Sequence, residues 1–199
     1  MDKHLLVING HPDPRPERFG SALSRAFGDG ARNAGWSVHT LEATTLRFTS
    51  GTTQAEISQD MAAGLVHAAD RLAIVFPLWF DEPPAAVGKL LAHAARLRRF
   101  AQNSASARHR TAQLVVTMEM PAFIHRSMVR ADGRRGDGHE LESLPGLDSA
   151  NVTFIGSVGA ITLEQRQEWL REIRQLGGQF DRVVKLPRRW LPLAARAAA

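Results

Sequence analysis

The stretch Leu72-Ala-Ile-Val-Phe76, running into Pro77-Leu-Trp-Phe-Asp-Glu-Pro-Pro84 and then Ala85-Ala-Val-Gly-Lys-Leu-Leu91, decides the fold. Five apolar residues with β-branched members predict a strand covered on both faces, the signature of a parallel sheet. The prolines fix a stiff loop. Val87, Leu90, Leu91, Ala94 and Leu97 then recur at helical spacing. Such a loop stands at the carboxyl edge of a parallel sheet, where open α/β proteins bind ligands. Its prolines and its aromatics, Trp79 and Phe80, suit a flat ring better than a phosphate.

The same alternation extends in both directions. Leu5-Leu-Val-Ile8 reads as a strand, Asn9 to Pro16 as a Gly- and Pro-marked loop, and Phe19, Leu23, Ala26 and Phe27 as one helical stripe ending near Gly35. Val38 and Leu41 mark a second strand. Residues 44–54 read as loop, and Ile57, Met61, Leu65 and Ala68 form the next helical stripe. Gln113-Leu-Val-Val-Thr117 and Asn151-Val-Thr-Phe-Ile155 complete the set of strands, separated by a long connection with a glycine-rich stretch at 132–138. A last helix runs from Thr162, with Gln165 placed for a capping box, to Gly177-Gly178. Short strands alternating with helices predict a doubly wound five-stranded parallel sheet of order 2-1-3-4-5. Its one switch point lies between strands one and three, so the loops at 9–18 and 77–84 meet there.

Composition narrows the classes. With 199 residues, 44% of them hydrophobic, the chain fits one domain over residues 1–181 followed by a tail, 182–199. The net charge of +5 matches the tail's Arg182, Lys185, Arg188, Arg189 and Arg196, among which no acid falls. The body is therefore near neutral, and no nucleic-acid-binding pattern is present. Cysteine is absent, which removes disulfides and thiolate chemistry. The eight histidines show no ligand-like spacing, so no metal site is expected. No Gly-x-Ser-x-Gly elbow exists. Met1-Asp-Lys-His4 enters a strand without a signal-peptide pattern, and no apolar run reaches membrane-spanning length, so a soluble cytoplasmic protein is expected.

Three loops carry the candidate chemistry. The first delivers the chain to a helix start near Glu17-Arg-Phe-Gly-Ser21, where free amides and the helix dipole favour an anion. His11 and Arg18 either add donors there or stand exposed on a proline-rich turn. In the second loop, Trp79 and Phe80 either pack on the following helix or flank a planar ligand. The third, Thr117-Met-Glu-Met-Pro-Ala-Phe-Ile-His-Arg126, offers Met118, Met120 and Phe123 as a soft apolar wall. His125 is either simply exposed or a donor to a substrate oxygen.

These segments together resemble the flavodoxin-like NAD(P)H:quinone oxidoreductase family. Leu6-Val-Ile-Asn-Gly-His-Pro12 with Arg18-Phe-Gly20 is similar to the family's first strand, His-containing loop and Ser-Phe-Asn helix start. Phe76-Pro-Leu-Trp-Phe80, with Pro84 and Lys89, is similar to its Phe-Pro-Leu-x-Trp loop, its downstream Pro and its Lys, and is the most specific match. Phe154-Ile-Gly156, Arg166-x-x-Trp169-Leu170 and Leu176-Gly177 match at the C-terminal side. The resemblance implies a flavodoxin-like flavin-binding domain holding FMN or FAD. It implies hydride transfer from NAD(P)H to the flavin and on to a quinone-like acceptor, in ping-pong order at a shared site, in a homodimer. It places His11, Arg18, Phe19 and Gly20 at the phosphate end, and Pro77, Leu78, Trp79 and Phe80 along the ring. Thr117, Met118, Glu119 and Met120 fall at the pyrimidine end, with His125 as the candidate catalytic donor.

The chain departs from the family pattern in two places. Arg18 and Gly20 stand where the family has Ser and Asn, and Met118-Glu-Met-Pro121 replaces a Thr-Thr-Gly-Gly loop. The chain contains no tyrosine, which leaves His125 to fill the acceptor-side role. Glu119 is expected to point away, because a carboxylate would oppose charge building on the reduced ring. A non-catalytic nucleotide-sensing regulatory subunit of a transporter or other partner, on the same fold, is the alternative reading. A one-electron flavin carrier is a weaker one.

Overall fold

The computed structural model describes residues 3–46, 53–79, 83–100, 111–122 and 149–179. The expected Phe80 and His125, the glycine-rich stretch and the basic tail lie outside them. The elements are β1 (Lys3–Asn9), α1 (Phe19–Asn33), β2 (Trp36–Glu42), a short 3₁₀ turn (Ala43–Thr45), α2 (Thr53–Ala68) and β3 (Arg71–Pro77). Then come α3 (Ala85–Phe100), β4 (Thr111–Thr117), β5 (Ser149–Ile155) and α4 (Leu163–Gly178). The five strands form one sheet of order β2-β1-β3-β4-β5, parallel throughout, as the sequence predicts.

Both faces of the sheet are buried because the central strands β1, β3 and β4 carry runs of consecutive buried residues rather than alternate ones, whereas the edge strand β2 is largely open. Leu6, Ile8, Leu72, Ile74, Phe76, Leu114 and Val116 face one core, beneath α2 and α3. Leu5, Val7, Ala73, Val75 and Val115 face the other, beneath α1 and α4. Each fully buried Leu, Ile or Phe in these layers contributes about 1.5–3 kcal/mol of transfer free energy.

The helix ends follow their sequence signals. Thr162 and Gln165 form the reciprocal capping box of α4, with Gln165 N–H donating to Thr162 Oγ1 at 3.2 Å and Thr162 N–H to Gln165 Oε1 at 2.8 Å. Gly35 follows α1 at a φ of +86°, which a side chain would resist. One expectation fails. Among the described side chains of α2, Ala62, Ala63 and Val66 are buried, while Met61 is 69% exposed and Leu65 and Ala68 also face outward; Ile57 of the expected stripe lies outside the described side chains. Small alanines let α2 approach its neighbours closely, so the helix seats its smaller side chains and leaves the larger ones outside. Among the described residues no helix is long and apolar enough to cross a membrane.

Candidate functional site

Where β1 and β3 part, Gly10 presses against the neighbouring chain. Its N–H donates to Val75 O at 2.8 Å, and a Cβ there would overlap Val87 Cγ2 and lie 3.0 Å from Phe76 Cβ. Only glycine allows the first loop to lie this flat on β3 and α3. The buried Asn9 anchors the loop's other side. Its Oδ1 accepts from His11 N–H at 3.2 Å, and its Nδ2 donates to the buried Ser21 Oγ at 3.1 Å. Ser21 Oγ in turn donates to Arg15 O at 3.0 Å. The end of β1, the loop and the first turn of α1 are thereby tied into one unit.

The start of α1 is open. Arg18 is its N-cap at φ −66° and ψ 141°, makes no side-chain cap bond, and no acid stands in the first turn. The first helical bond is from Ala22 N–H to Arg18 O at 3.1 Å, so the amides of Phe19, Gly20 and Ser21 have no acceptor within the helix. His11 lies over this end, its Cδ2 only 3.5 Å from where a Gly20 Cβ would be. The His11 Nδ1 sits 2.9 Å from Asp13 O and 3.0 Å from Asp13 N, which orients the ring. Arg18 itself turns back onto Asp13, with Nη2 and Nε at 2.5 and 2.6 Å from Oδ2. Arg15 binds the same carboxylate from Nη2 at 2.6 Å. The Arg15 and then the Arg18 hydrogen bonds hold the Asp13 carboxyl well below the usual carboxylate range.

The second loop meets the first. The Trp79 ring stands edge-on to His11, with centroids 6.4 Å apart and planes at 75°. Trp79 is 48% exposed, so it is not packed away beneath α3. Pro77 and Leu78 before it are buried, and Leu78 N–H donates to Thr117 O at 2.8 Å. The Leu78 side chain belongs to the core beneath α3, and at the rim only its main chain is on offer.

The third loop lies next to the second and is fixed by main-chain bonds. Met118 N–H donates to Ile155 O at 2.9 Å, Val158 N–H to Met118 O at 3.1 Å, and Ser157 N–H to Met120 O at 3.1 Å. Thr117 is buried at its start. Of the expected apolar wall, Met120 is 38% exposed, but Met118 is 3% exposed and packs in the core instead. It follows a strand whose neighbours are all buried, and its side chain continues their layer. Glu119 Oε2 accepts from Gly159 N–H at 3.2 Å, so the carboxylate is directed to the β5–α4 connection.

Several residues join this region that the sequence did not single out for it. The Arg166 guanidinium lies 5.1 Å from the Phe19 ring centroid, and its Nη2 donates to Val158 O at 2.7 Å. It links α4, the β5–α4 connection and the start of α1. Glu42, paired in register with Asn9, has its carboxyl pushed up by burial, against opposing effects of the Asn9 hydrogen bond and the Arg25 charge. Its Oε2 and the Thr44 Oγ1 are buried with no hydrogen-bond partner among the described residues.

Known proteins with this architecture are numerous. A family model described as "flavodoxin-like fold" matches residues 3–175. The search of curated proteins found no match. Among solved structures, the NAD(P)H:quinone oxidoreductase from Methanothermobacter marburgensis is similar at a TM-score of 0.65 and 15% identity, covering 91% of this chain and 97% of its own. The FMN-dependent NADH-azoreductase from Bacillus anthracis, in complex with FMN, is similar at 0.64 and 8%, covering 89% and 99%. The NADPH-quinone reductase from P. pentosaceus is similar at 0.55 and 12%, covering 89% and 98%. At these identities the structures speak for the fold, and the family match extends over most of the sequence. The chain belongs to the family with the flavodoxin-like fold.

Proposed function

We propose that the chain is a flavin-dependent oxidoreductase that takes a hydride from NAD(P)H and passes it to a quinone-like acceptor. The observation that carries this reading is the meeting of His11 and Trp79 beside an open helix start at the sheet's switch point. That arrangement offers donors for a phosphate and an exposed aromatic face for a planar ring. The residues present fit a flavin in that sense. The names of the solved neighbours, quinone oxidoreductases and an FMN-dependent azoreductase, support the same chemistry. The neighbour in complex with FMN favours FMN over FAD.

In this reading the amides of Phe19, Gly20 and Ser21, with His11 and Arg18, hold the phosphate. Pro77 and Leu78 contribute main chain and Trp79 its ring along the heterocycle, and Phe80 is assigned to the same edge. Thr117, Met118, Glu119 and Met120 border the pyrimidine end through their backbone. A bound flavin supplies the two-electron chemistry, and the protein supplies position, electrostatics and the exclusion of water. Glu119, held by Gly159, keeps its charge off the ring. His125 is proposed to donate a proton to the acceptor oxygen, and a second copy of the chain to close the open side of the site. We assign the flavin-binding unit to residues 1–181 and treat 182–199 as its basic C-terminal tail.

The test is turnover. Protein incubated with FMN, then mixed with NADH or NADPH and a benzoquinone, is expected to consume the nicotinamide, with parallel lines in double-reciprocal plots because both substrates use one site. Flavin binding without turnover for any quinone would reject the oxidoreductase reading in favour of nucleotide sensing.

A further inference from the structure

The first loop carries its own anion. Asp13 accepts from Arg15 Nε at 2.9 Å on both carboxylate oxygens, from Arg15 Nη2 at 2.6 Å and from Arg18 Nε at 2.6 Å, and Oδ1 also accepts from Arg15 N–H at 3.2 Å. Two guanidinium groups thus close on one carboxylate and leave one net positive charge. Exposed ion pairs are ordinarily weak, because two long side chains must be ordered to make them. Here the backbone is already stiff. Pro12, Pro14 and Pro16 alternate with the charged residues, and the His11 ring is set against the Asp13 main chain. The cluster is consequently preorganised, and it occupies the side chain at the N-cap of α1, next to amides with no acceptor within the helix.

We propose that Asp13 is an internal counter-ion that occupies Arg18 in the free protein and that the cofactor's phosphate must displace, which makes Asp13 a residue that sets the strength and charge selectivity of cofactor binding. This rests on the flavin reading above. The physical basis is competition for the same donors. A terminal phosphate carries nearly two charges and three acceptor oxygens, against one charge and two oxygens on Asp13. It can take Arg18 over while the helix amides bind it from the other side. A ligand without that phosphate has nothing to exchange, and leaves Asp13 where it is. Arg18 in place of the family's serine therefore brings added charge, and Asp13 holds that charge in check until a dianion arrives.

The experiment compares FMN with riboflavin, which share the ring and differ in the phosphate. Both are titrated into the full chain and into Asp13→Asn and Asp13→Ala, following flavin fluorescence, with circular dichroism confirming that each variant is folded. Neither substitution removes the main-chain contacts of residue 13 with His11. FMN is expected to bind about tenfold more tightly to both variants, an effect intermediate between one charge acting through water and through protein. Its affinity should also fall more steeply with salt. Riboflavin affinity should stay within about twofold. FMN binding that is unchanged or weakened in both variants, with riboflavin unaffected, would show Asp13 to be an organiser of the loop and overturn the inference alone. Absence of binding of either flavin to the native chain would overturn the cofactor reading and this inference with it.

Discussion

At the scale of single residues, Trp79 and Glu42 make separable predictions. Trp79 follows six buried positions of β3 and the buried Leu78, yet half of its own surface is open. Its ring therefore adds little to the core and much to any planar ligand at that rim. Stacking on an aromatic is worth about 1–3 kcal/mol per ring, so Trp79→Ala should weaken FMN binding by about 5- to 150-fold while leaving the melting temperature nearly unchanged. A melting temperature that drops with flavin affinity intact would assign the ring to packing. Glu42 acts on stability. Its carboxyl is raised by burial, so the folded state holds its proton more tightly than the unfolded chain does. Stability from this group is intact below the ordinary glutamate value and is lost as pH rises through the raised one. Glu42→Gln, which keeps an acceptor for Asn9, should raise the melting temperature at pH 7 by about 1–2 °C, a modest shift because solvent screens the partly exposed carboxyl. The difference should shrink as pH falls toward 4, and thermal melts at the two pH values check it.

Among the elements, α1 and α4 pack closely, and their approach depends on glycines with no side chain to spare. A Cβ on Gly30 would overlap Arg174 O, and one on Gly177 would overlap Phe27 O. Both obstacles are backbone, which cannot rotate aside. Replacing either glycine by alanine gains helix propensity of about 1 kcal/mol, but forcing the helices apart costs about 1–3 kcal/mol or more, so the variant should be destabilised. Gly64 is the control. It lies within α2 with nothing near its missing Cβ, so Gly64→Ala should stabilise by about 0.5–1 kcal/mol. Chemical denaturation of the three variants tests the pair of signs. Separation of α1 from α4 would also disturb Arg166 over Phe19, and with it the start of α1.

The elements show what a sequence conveys and what it withholds. Continuous apolar runs such as Leu72–Phe76 predict strands buried on both faces, and their alternation with helices predicts the strand order, because each signal is local. The buried face of α2 was not legible, since side-chain size and burial part company when alanines allow close packing. Within the site, the loops and the open start of α1 were visible as breaks in pattern. The bonds that fix them were not. Asn9 to Ser21, Glu119 to Gly159 and Arg166 to Phe19 join residues far apart in the chain, and no spacing marks them. The Asp13 cluster lay within a few residues and was hidden differently, because a charged proline-rich turn gives no sign of which charges will close on each other.

For the whole molecule, the sheet acts as a platform that brings three connections to one edge, and the switch point lets the first two diverge enough to admit a ligand. The excess positive charge of the sequence matches that of its tail, so the charge at the proposed flavin site is that of the Asp13, Arg15 and Arg18 cluster. The claim at the centre of this account is that this edge holds a phosphorylated flavin. Equilibrium titration of the purified full chain with FMN, read by quenching of flavin fluorescence, tests it most directly. The account predicts saturable one-to-one binding in the micromolar range or tighter, with riboflavin held more weakly. Fluorescence that stays unquenched by a folded chain at flavin concentrations far above that range would contradict it.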